Sequence, residues 1–266
     1  MRYDPPLLEV TLLKRYKRFL ADVSAEALPE GVPQLADEEP GCFTVHCANP
    51  GSMSGLAVPG ARAWVQDSGN PKRKLRYSLE LIETSEGAHV CVNTARANHL
   101  VAEALQEGLI SEVAHYTHRA EVKWSGADHE TGAAIEARFD FALDASSSDE
   151  MISTPPKGYL EVKSVTYAPD PVLLPGRVAF PDAVTKRGLK HLRALSAVAL
   201  SGQRAVLLFC VNRDDAREVT IAEEIDPAYA QGLRAALKAG VEVFAYRAEA
   251  TQSHHRLTER IPFIFT

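Results

Sequence analysis

Turn-forming pairs recur at short intervals through the first third of the chain: Pro40-Gly41, Pro50-Gly51, Pro59-Gly60, then Gly69-Asn70-Pro71. Proline removes a backbone donor and glycine adopts conformations closed to other residues, so the segments between such points are confined to short strands. The segments themselves are rich in β-formers. KRYKRFLADV (14–23), CFTVHCA (42–48), ARAWVQD (61–67), KLRYSLELIE (74–83) and AHVCVNT (88–94) give five predicted strands. That many strands in so short a stretch predict a small closed or partly closed barrel. An OB-type barrel leads, and an SH3-like barrel or a sandwich would leave a similar trace.

From Thr94 the texture changes. TARANHLVAEALQEGL carries Ala97, Leu100, Val101, Ala104 and Leu105 at helical spacing, with Gly108 as a stop. Strand-like RAEVKW, AIEARFDFALD and GYLEVKSV follow, then a helix over about 182–200, strand RAVLLFCV, helix PAYAQGLRAALKAG and strand VEVFAYR. This order predicts a mixed α/β sheet with a covered face, RAVLLFCV being apolar enough for its interior. The predicted domains are 1–93 and 94–266.

Composition excludes several classes. With 266 residues and 45% apolar content the chain can bury a core in each domain. Asp4, Pro5 and Pro6 interrupt the start before a signal-like apolar core, and runs such as AVLLFCV are too short for a bilayer, so no membrane is expected. Cys42, Cys47, Cys91 and Cys210 form no CxxC pair, which fits a reduced cytoplasm. Cys42, His46 and Cys47 lack the second ligand pair that a zinc site needs. Net charge is −6, yet Lys14, Arg15, Lys17 and Arg18 cluster, as do Lys72, Arg73, Lys74 and Arg76. No Asp or Glu occurs from Ala183 to Arg213. Local basic surfaces on an acidic protein can still hold a polyanion.

AIEARFDFALD alternates, with Ala137, Phe139, Phe141 and Leu143 predicted on one face and Glu136, Arg138 and Asp140 on the other. In YLEVKSV, Leu160 and Val162 oppose Glu161 and Lys163. A hairpin closing symmetrically over the 144–157 loop pairs Leu143 with Gly158 and Asp140 with Glu161. Carboxylates so placed have Cβ atoms about 5 Å apart and repel. A divalent cation resolves the conflict, with Lys163 aimed at a metal-bound water or at charge developing on phosphorus. The other reading is an open sheet face on which Asp140 pairs with Arg138 or Lys163. A second EVK, Glu121 to Lys123, lacks a preceding Arg-x-Asp strand. Glu103, on the helix before, is a candidate further carboxylate. Lys186, Lys190 and Arg193 form a stripe on the later helix, with Arg187 and His191 in the adjacent row, suited to phosphate contact. GSMSG falls short of a nucleophile elbow because Met53 stands in the serine's place.

RYKRFLADV, VHCANPGSMSGL, VNTARANHLV, RFDF, YLEVKSVT and AFPDAVTKRGLKHL, in this order, together resemble the sugar fermentation stimulation protein A (SfsA) family. The resemblance implies an N-terminal OB-like domain joined to a PD-(D/E)xK nuclease-like domain, DNA binding, and a part in transcriptional control of sugar-utilisation genes. The nuclease signature's acids match Asp140 and Glu161 and its lysine Lys163, while Phe139 stands where the general signature has proline. On this basis Asp140, Glu161 and the Val162 carbonyl are expected to hold Mg²⁺ or Mn²⁺, and Lys163 to orient the attacking water. Arg138, Lys186, Arg187, Lys190 and His191 are expected on phosphate. With KRYKRF taken as one strand, Lys14, Tyr16 and Arg18 share a face and Arg15 and Lys17 the other, Tyr16 stacking on an unpaired base. The expected function is a metal-dependent DNA phosphodiesterase; the alternative is a non-catalytic DNA-binding regulator of sugar (maltose-type) metabolism genes. A small-molecule enzyme of sugar metabolism would need a cofactor loop or sugar-type motif that the chain does not display. DNA is the expected partner, and a homodimer is left open. No function is assigned to the 144–157 loop or to the tail from Thr251.

Overall fold

The structure is a computed structural model that describes residues 1–266 except Asp37, Pro71, 146–154 and Thr266. Most of the loop after Asp144 therefore lies outside the described residues. Strands β1 (Leu8–Tyr16), β2 (Leu20–Ser24), β3 (Cys42–His46), β4 (Arg62–Asp67) and β5 (Tyr77–Glu83) run in the order β3-β2-β1-β4-β5. A parallel pairing of His46 with Ser78 joins β3 to β5 and closes the barrel. This is the OB arrangement. Leu12, Val23, Phe43, Val45, Val65, Leu79 and Ile82 fill its interior with no exposure.

Two expectations for this domain need correction. KRYKRFLADV is not one strand but the hairpin of β1 and β2, pairing Tyr16 with Leu20. Lys17 and Arg18 make the turn at φ 48° and 61°, without the glycine or asparagine that usually marks such a position. Arg18 therefore leaves the strand face that Lys14 and Tyr16 were predicted to share with it. The predicted fifth strand contracts to β6 (His89–Cys91), which extends β5 and lies outside the closed barrel, while β1 starts earlier than expected, at Leu8.

Beyond α1 (Arg96–Gln106) come β7 (Thr117–Ala127), β8 (Ala134–Asp144), β9 (Gly158–Val165) and β10 (Arg177–Phe180). Then follow α2 (Lys186–Leu200), β11 (Arg204–Val211), β12 (Glu218–Ile221), α3 (Pro227–Lys238), β13 (Glu242–Ala250) and β14 (His255–Arg260). The main sheet runs β14-β13-β11-β9-β8-β7. Strands β9, β11 and β13 are parallel and the rest antiparallel, so the sheet is mixed as expected. Helix α1 lays Leu100 and Val101 on one face against Leu160, Val162 and Leu208. Helices α2 and α3 cover the other, where Leu192, Leu195 and Leu233 meet Tyr159, Leu207 and Phe209. Asp226 links the two helix starts by accepting from Tyr229 N at 3.0 Å and from Thr185 N at 2.7 Å. Helix α2 begins only after its N-cap Thr185, which accepts from Gly188 N at 3.0 Å.

Candidate active site

The β8–β9 ladder pairs Leu143 with Gly158, Ala142 with Tyr159 and Phe141 with Leu160. The ladder stops there, one step short of the expected Asp140–Glu161 pair. There the side chain of Asp140 takes over as acceptor: Oδ2 receives the Val162 N–H at 2.7 Å, and Oδ1 the Asn98 amide at 2.7 Å.

The expected alternation of β8 fails at this point. Ile135 and Phe139 pack on the α2 side, whereas Phe141 and Leu143 pack on the α1 side. Opposite Asp140 in β7 stands Glu121, whose φ of 59° is uncommon for a residue with a side chain. The ladder omits only this pair and resumes in the same register, with Ala120 on Phe141 and Val122 on Phe139, so both strands turn over together. Arg138 is thereby separated from Asp140. Its guanidinium meets the Glu121 carboxylate at 2.7 Å, both groups being exposed.

Glu161 is 2% exposed. Its Oε1 receives both the Lys163 ammonium and His191 Nδ1, while its Oε2 is buried with no hydrogen-bond partner among the described residues. The two acids differ electrostatically. Burial, then the Glu161 charge, raises the Asp140 carboxyl above its usual value, despite Val162 N–H, Lys163 and Asn98. Burial would raise Glu161 as well, but Lys163 and His191 outweigh it and hold that carboxyl low.

Glu103 does not join the site. Its carboxylate meets the Met1 amino group at 2.5 Å, because five residues along a helix from Asn98 points to a different side. Asn98 is the α1 residue that reaches Asp140, and sequence reading passed over it. His191, expected on phosphate, is instead 6% exposed and bonded to Glu161. Lys186, Arg187 and Lys190 are exposed as expected. The Val162 side chain lies in the α1-side core, and its N–H is occupied by Asp140.

The basic residues of the β1–β2 hairpin divide. Arg15 is committed to backbone carbonyls, those of Asn49 at 2.8 Å, Arg18 at 2.9 Å, Gly51 at 2.9 Å and Ser52 at 3.1 Å, so it builds the 49–52 loop rather than offering a free charge. Arg18 donates to Pro50 O at 2.7 Å. Lys14 and Tyr16 both reach Asp22, at 3.2 and 3.0 Å, and Lys17 is exposed. The loop docks on Asp182, which accepts from Met53 N at 3.1 Å, and Ser52 Oγ donates to Asp182 O at 2.6 Å. A cleft of about 510 Å³ lies between this loop and the start of α2, lined by Arg18, Lys186 and Arg187 with Thr94 and Ser164. A Cβ on Gly51 would lie 2.3 Å from Asp182 Oδ2. Gly51→Ala is therefore expected to displace the Asp182 carboxylate and lower stability by roughly 1–3 kcal/mol, read as a lower denaturation midpoint.

Known proteins align with both halves of this arrangement. The family model described as SfsA N-terminal OB domain matches residues 13–92, and the one described as Sugar fermentation stimulation protein RE domain matches residues 95–254. The chain belongs to the sugar fermentation stimulation protein family. It is 47% identical over 262 residues to the sugar fermentation stimulation protein homolog of Ectopseudomonas mendocina, covering 98% of each chain. With the homolog of Azotobacter vinelandii it shares 45% over 264 residues, again covering 98% of each. The solved structure of Pyrococcus furiosus SfsA in complex with Ca²⁺ superposes with a TM-score of 0.76 at 19% identity, covering 99% of this chain and 98% of that one. The likeness shows the shared SfsA fold, an OB barrel joined to a mixed-sheet domain. Among the described residues no helix is long and apolar enough to cross a membrane.

Proposed function

We propose that this SfsA-family chain is a DNA-binding, divalent-metal-dependent phosphodiesterase centred on Asp140, Glu161 and Lys163. One observation carries the reading: Asp140 and Glu161 stand on neighbouring strands, near enough for the Glu161 charge to raise the Asp140 carboxyl, and among the described residues Glu161 Oε2 is buried without a partner. A buried acceptor left unsatisfied is costly, and a hard cation is the partner that two carboxylates suit. The metal we assign is Mg²⁺ or Mn²⁺. The Pyrococcus furiosus relative was solved in complex with Ca²⁺, and Ca²⁺ and Mg²⁺ are both hard cations that take oxygen ligands.

Asp140 and Glu161 would hold the ion, with the Val162 carbonyl as a further oxygen. The ion supplies a polarised water and offsets charge at phosphorus. Val162 N–H and Asn98 fix the Asp140 carboxylate, and His191 fixes that of Glu161, so each ligand is oriented by a second group. Lys163 lies at the same carboxylate and is placed to steady an attacking water or a developing phosphate charge. Lys186, Arg187, Lys190 and Arg18 supply phosphate contacts from the 510 Å³ cleft and the exposed side of α2. We assign 1–93 to DNA binding and 94–266 to chemistry, in the cytoplasm, where the four buried free cysteines would stay reduced.

A second reading, the non-catalytic regulator of sugar-metabolism genes, draws on two features. Among the described residues no group of three His, Cys, Asp or Glu side chains gathers to hold a metal, and Lys163 is already engaged by Glu161. One assay separates the two. Single-stranded, duplex and branched DNA are incubated with the protein in Mg²⁺, Mn²⁺ or chelator, alongside Asp140→Asn and Lys163→Ala. Metal-dependent cutting lost in both variants is expected. Binding without cutting on any substrate would overturn the enzyme reading in favour of the regulator.

A further inference from the structure

The chain has two tryptophans. Trp64 is 1% exposed, but Trp124 on β7 is only partly buried. Its ring rests against Phe139, with centroids 5.9 Å apart, and over the backbone of Gly126, where a Cβ would come within 2.4 Å of the indole. Glycine is what lets the ring lie there. The ring lines a groove of about 620 Å³ between the β7–β8 hairpin and α2. Lys123, Arg138, Arg187 and Lys190 border this groove against the single acid Glu136, and His191 lies in it. Because His191 also bonds Glu161, one imidazole links the groove to the candidate metal site.

We infer that this groove receives a nucleotide next to the phosphodiester under attack, its base unpaired and stacked on Trp124, its phosphate between Arg187 and Lys190. The inference rests on the phosphodiesterase reading and adds a substrate class: single-stranded or frayed DNA in preference to intact duplex. In a duplex the faces of each base are covered by its neighbours, so an aromatic ring in a groove can stack only on a base that has left the helix. A pre-set ring bordered by cations is the arrangement that strand-tolerant stacking sites use. The turnover of both strands at Glu121 and Asp140 also brings Trp124 and Phe139 to the α2 side, the side on which Glu161 meets His191.

Trp64 is sealed from any bound base, so a change in tryptophan fluorescence on adding DNA reports on Trp124. The full chain is titrated in chelator, which prevents cutting, with an oligothymidylate and separately with a blunt duplex. Quenching by the single strand and little by the duplex is expected. Trp124→Ala should weaken single-strand binding roughly 5- to 100-fold and leave duplex binding unchanged. Trp124→Phe should keep most of the affinity while abolishing the quench. Gly126→Ala, which retains the indole but crowds it, should also weaken single-strand binding. Equal quenching by the duplex, or single-strand affinity unchanged in both Trp124→Ala and Gly126→Ala, overturns the stacking site and leaves the phosphodiesterase reading standing. Failure of the native chain to bind any DNA, with metal or without, would remove both.

Discussion

Glu161→Ala is expected to destabilise the protein by about 3 kcal/mol, whereas Asp140→Asn, a change at the facing acid, should leave stability within about 1 kcal/mol of the parent. The contrast follows from the environments. Glu161 is the counter-charge of Lys163 and the hydrogen-bond partner of His191, whose side chains are 14% and 8% exposed, so truncation strands a mostly buried ammonium. Asp140 is different. Burial and the Glu161 charge already favour its neutral form, and an asparagine supplies a neutral group of the same shape. Its amide would place a donor where Asp140 now only accepts, and Asn98 can turn its own amide to offer oxygen in return. Both variants remove a proposed metal ligand, so each should lose cutting by a factor on the order of 10²–10³. Denaturant midpoints at constant slope measure the stability half, and turnover in Mg²⁺ the other. A stable Glu161→Ala would mean that the Lys163 and His191 contacts are not what holds β9 to α2. An Asp140→Asn protein as unstable as Glu161→Ala would mean that Asp140 serves the fold, not a cation.

The parts of this site that were legible in the sequence are those set by local period. Strand periodicity in YLEVKSV put Glu161 and Lys163 on one side, and symmetric closure of the hairpin gave the Leu143–Gly158 pair and hence the position of Asp140. What escaped depends on contacts that no period encodes. Asn98 is 42 residues from the carboxylate that it orients. His191 was read as a phosphate contact because its row on α2 adjoins the basic stripe, but α2 packs close enough to the sheet to bury that row against Glu161. Glu103, at an attractive spacing on α1, faces the amino terminus instead.

Backbone exceptions account for the other misreadings. Lys17 and Arg18 turn the chain without glycine, so KRYKRFLADV kept the look of a single strand. Glu121 turns β7 over at the level of Asp140, and with it β8, so a pattern that alternates cleanly in sequence changes faces midway. That second exception has a consequence for the site. Strict alternation would have put Phe139 and Phe141 in the same core. Their separation leaves Asp140 at the changeover, where its carboxylate can reach the backbone of β9 and the side chain of α1 together. Non-glycine residues in such conformations tend to gather at functional sites, where surrounding structure holds them.

Away from the site, His255 is expected to set much of the acid limb of stability. Its ring has no exposure, and among the described residues neither Nδ1 nor Nε2 has a hydrogen-bond partner. Burial, then the N-terminal amine, Arg96 and His254, lowers its pKa from the ordinary 6.5 to about 3. The amine is partly offset by Glu103, which bonds it at 2.5 Å from the surface of α1. Between those pH limits the unfolded chain binds a proton at this position and the folded chain does not. Stability from a neutral, buried His255 is thus complete above 6.5 and is lost as pH falls toward about 3. The loss should run at roughly 1 kcal/mol per pH unit. His255→Leu, close in volume and unable to titrate, should have a flatter curve over that window, while carboxylates common to both proteins cancel in the difference. Unfolding free energies at several pH values from neutral downward supply the comparison. Parallel curves would mean that the folded protein protonates His255, which the absence of any acceptor at either ring nitrogen argues against.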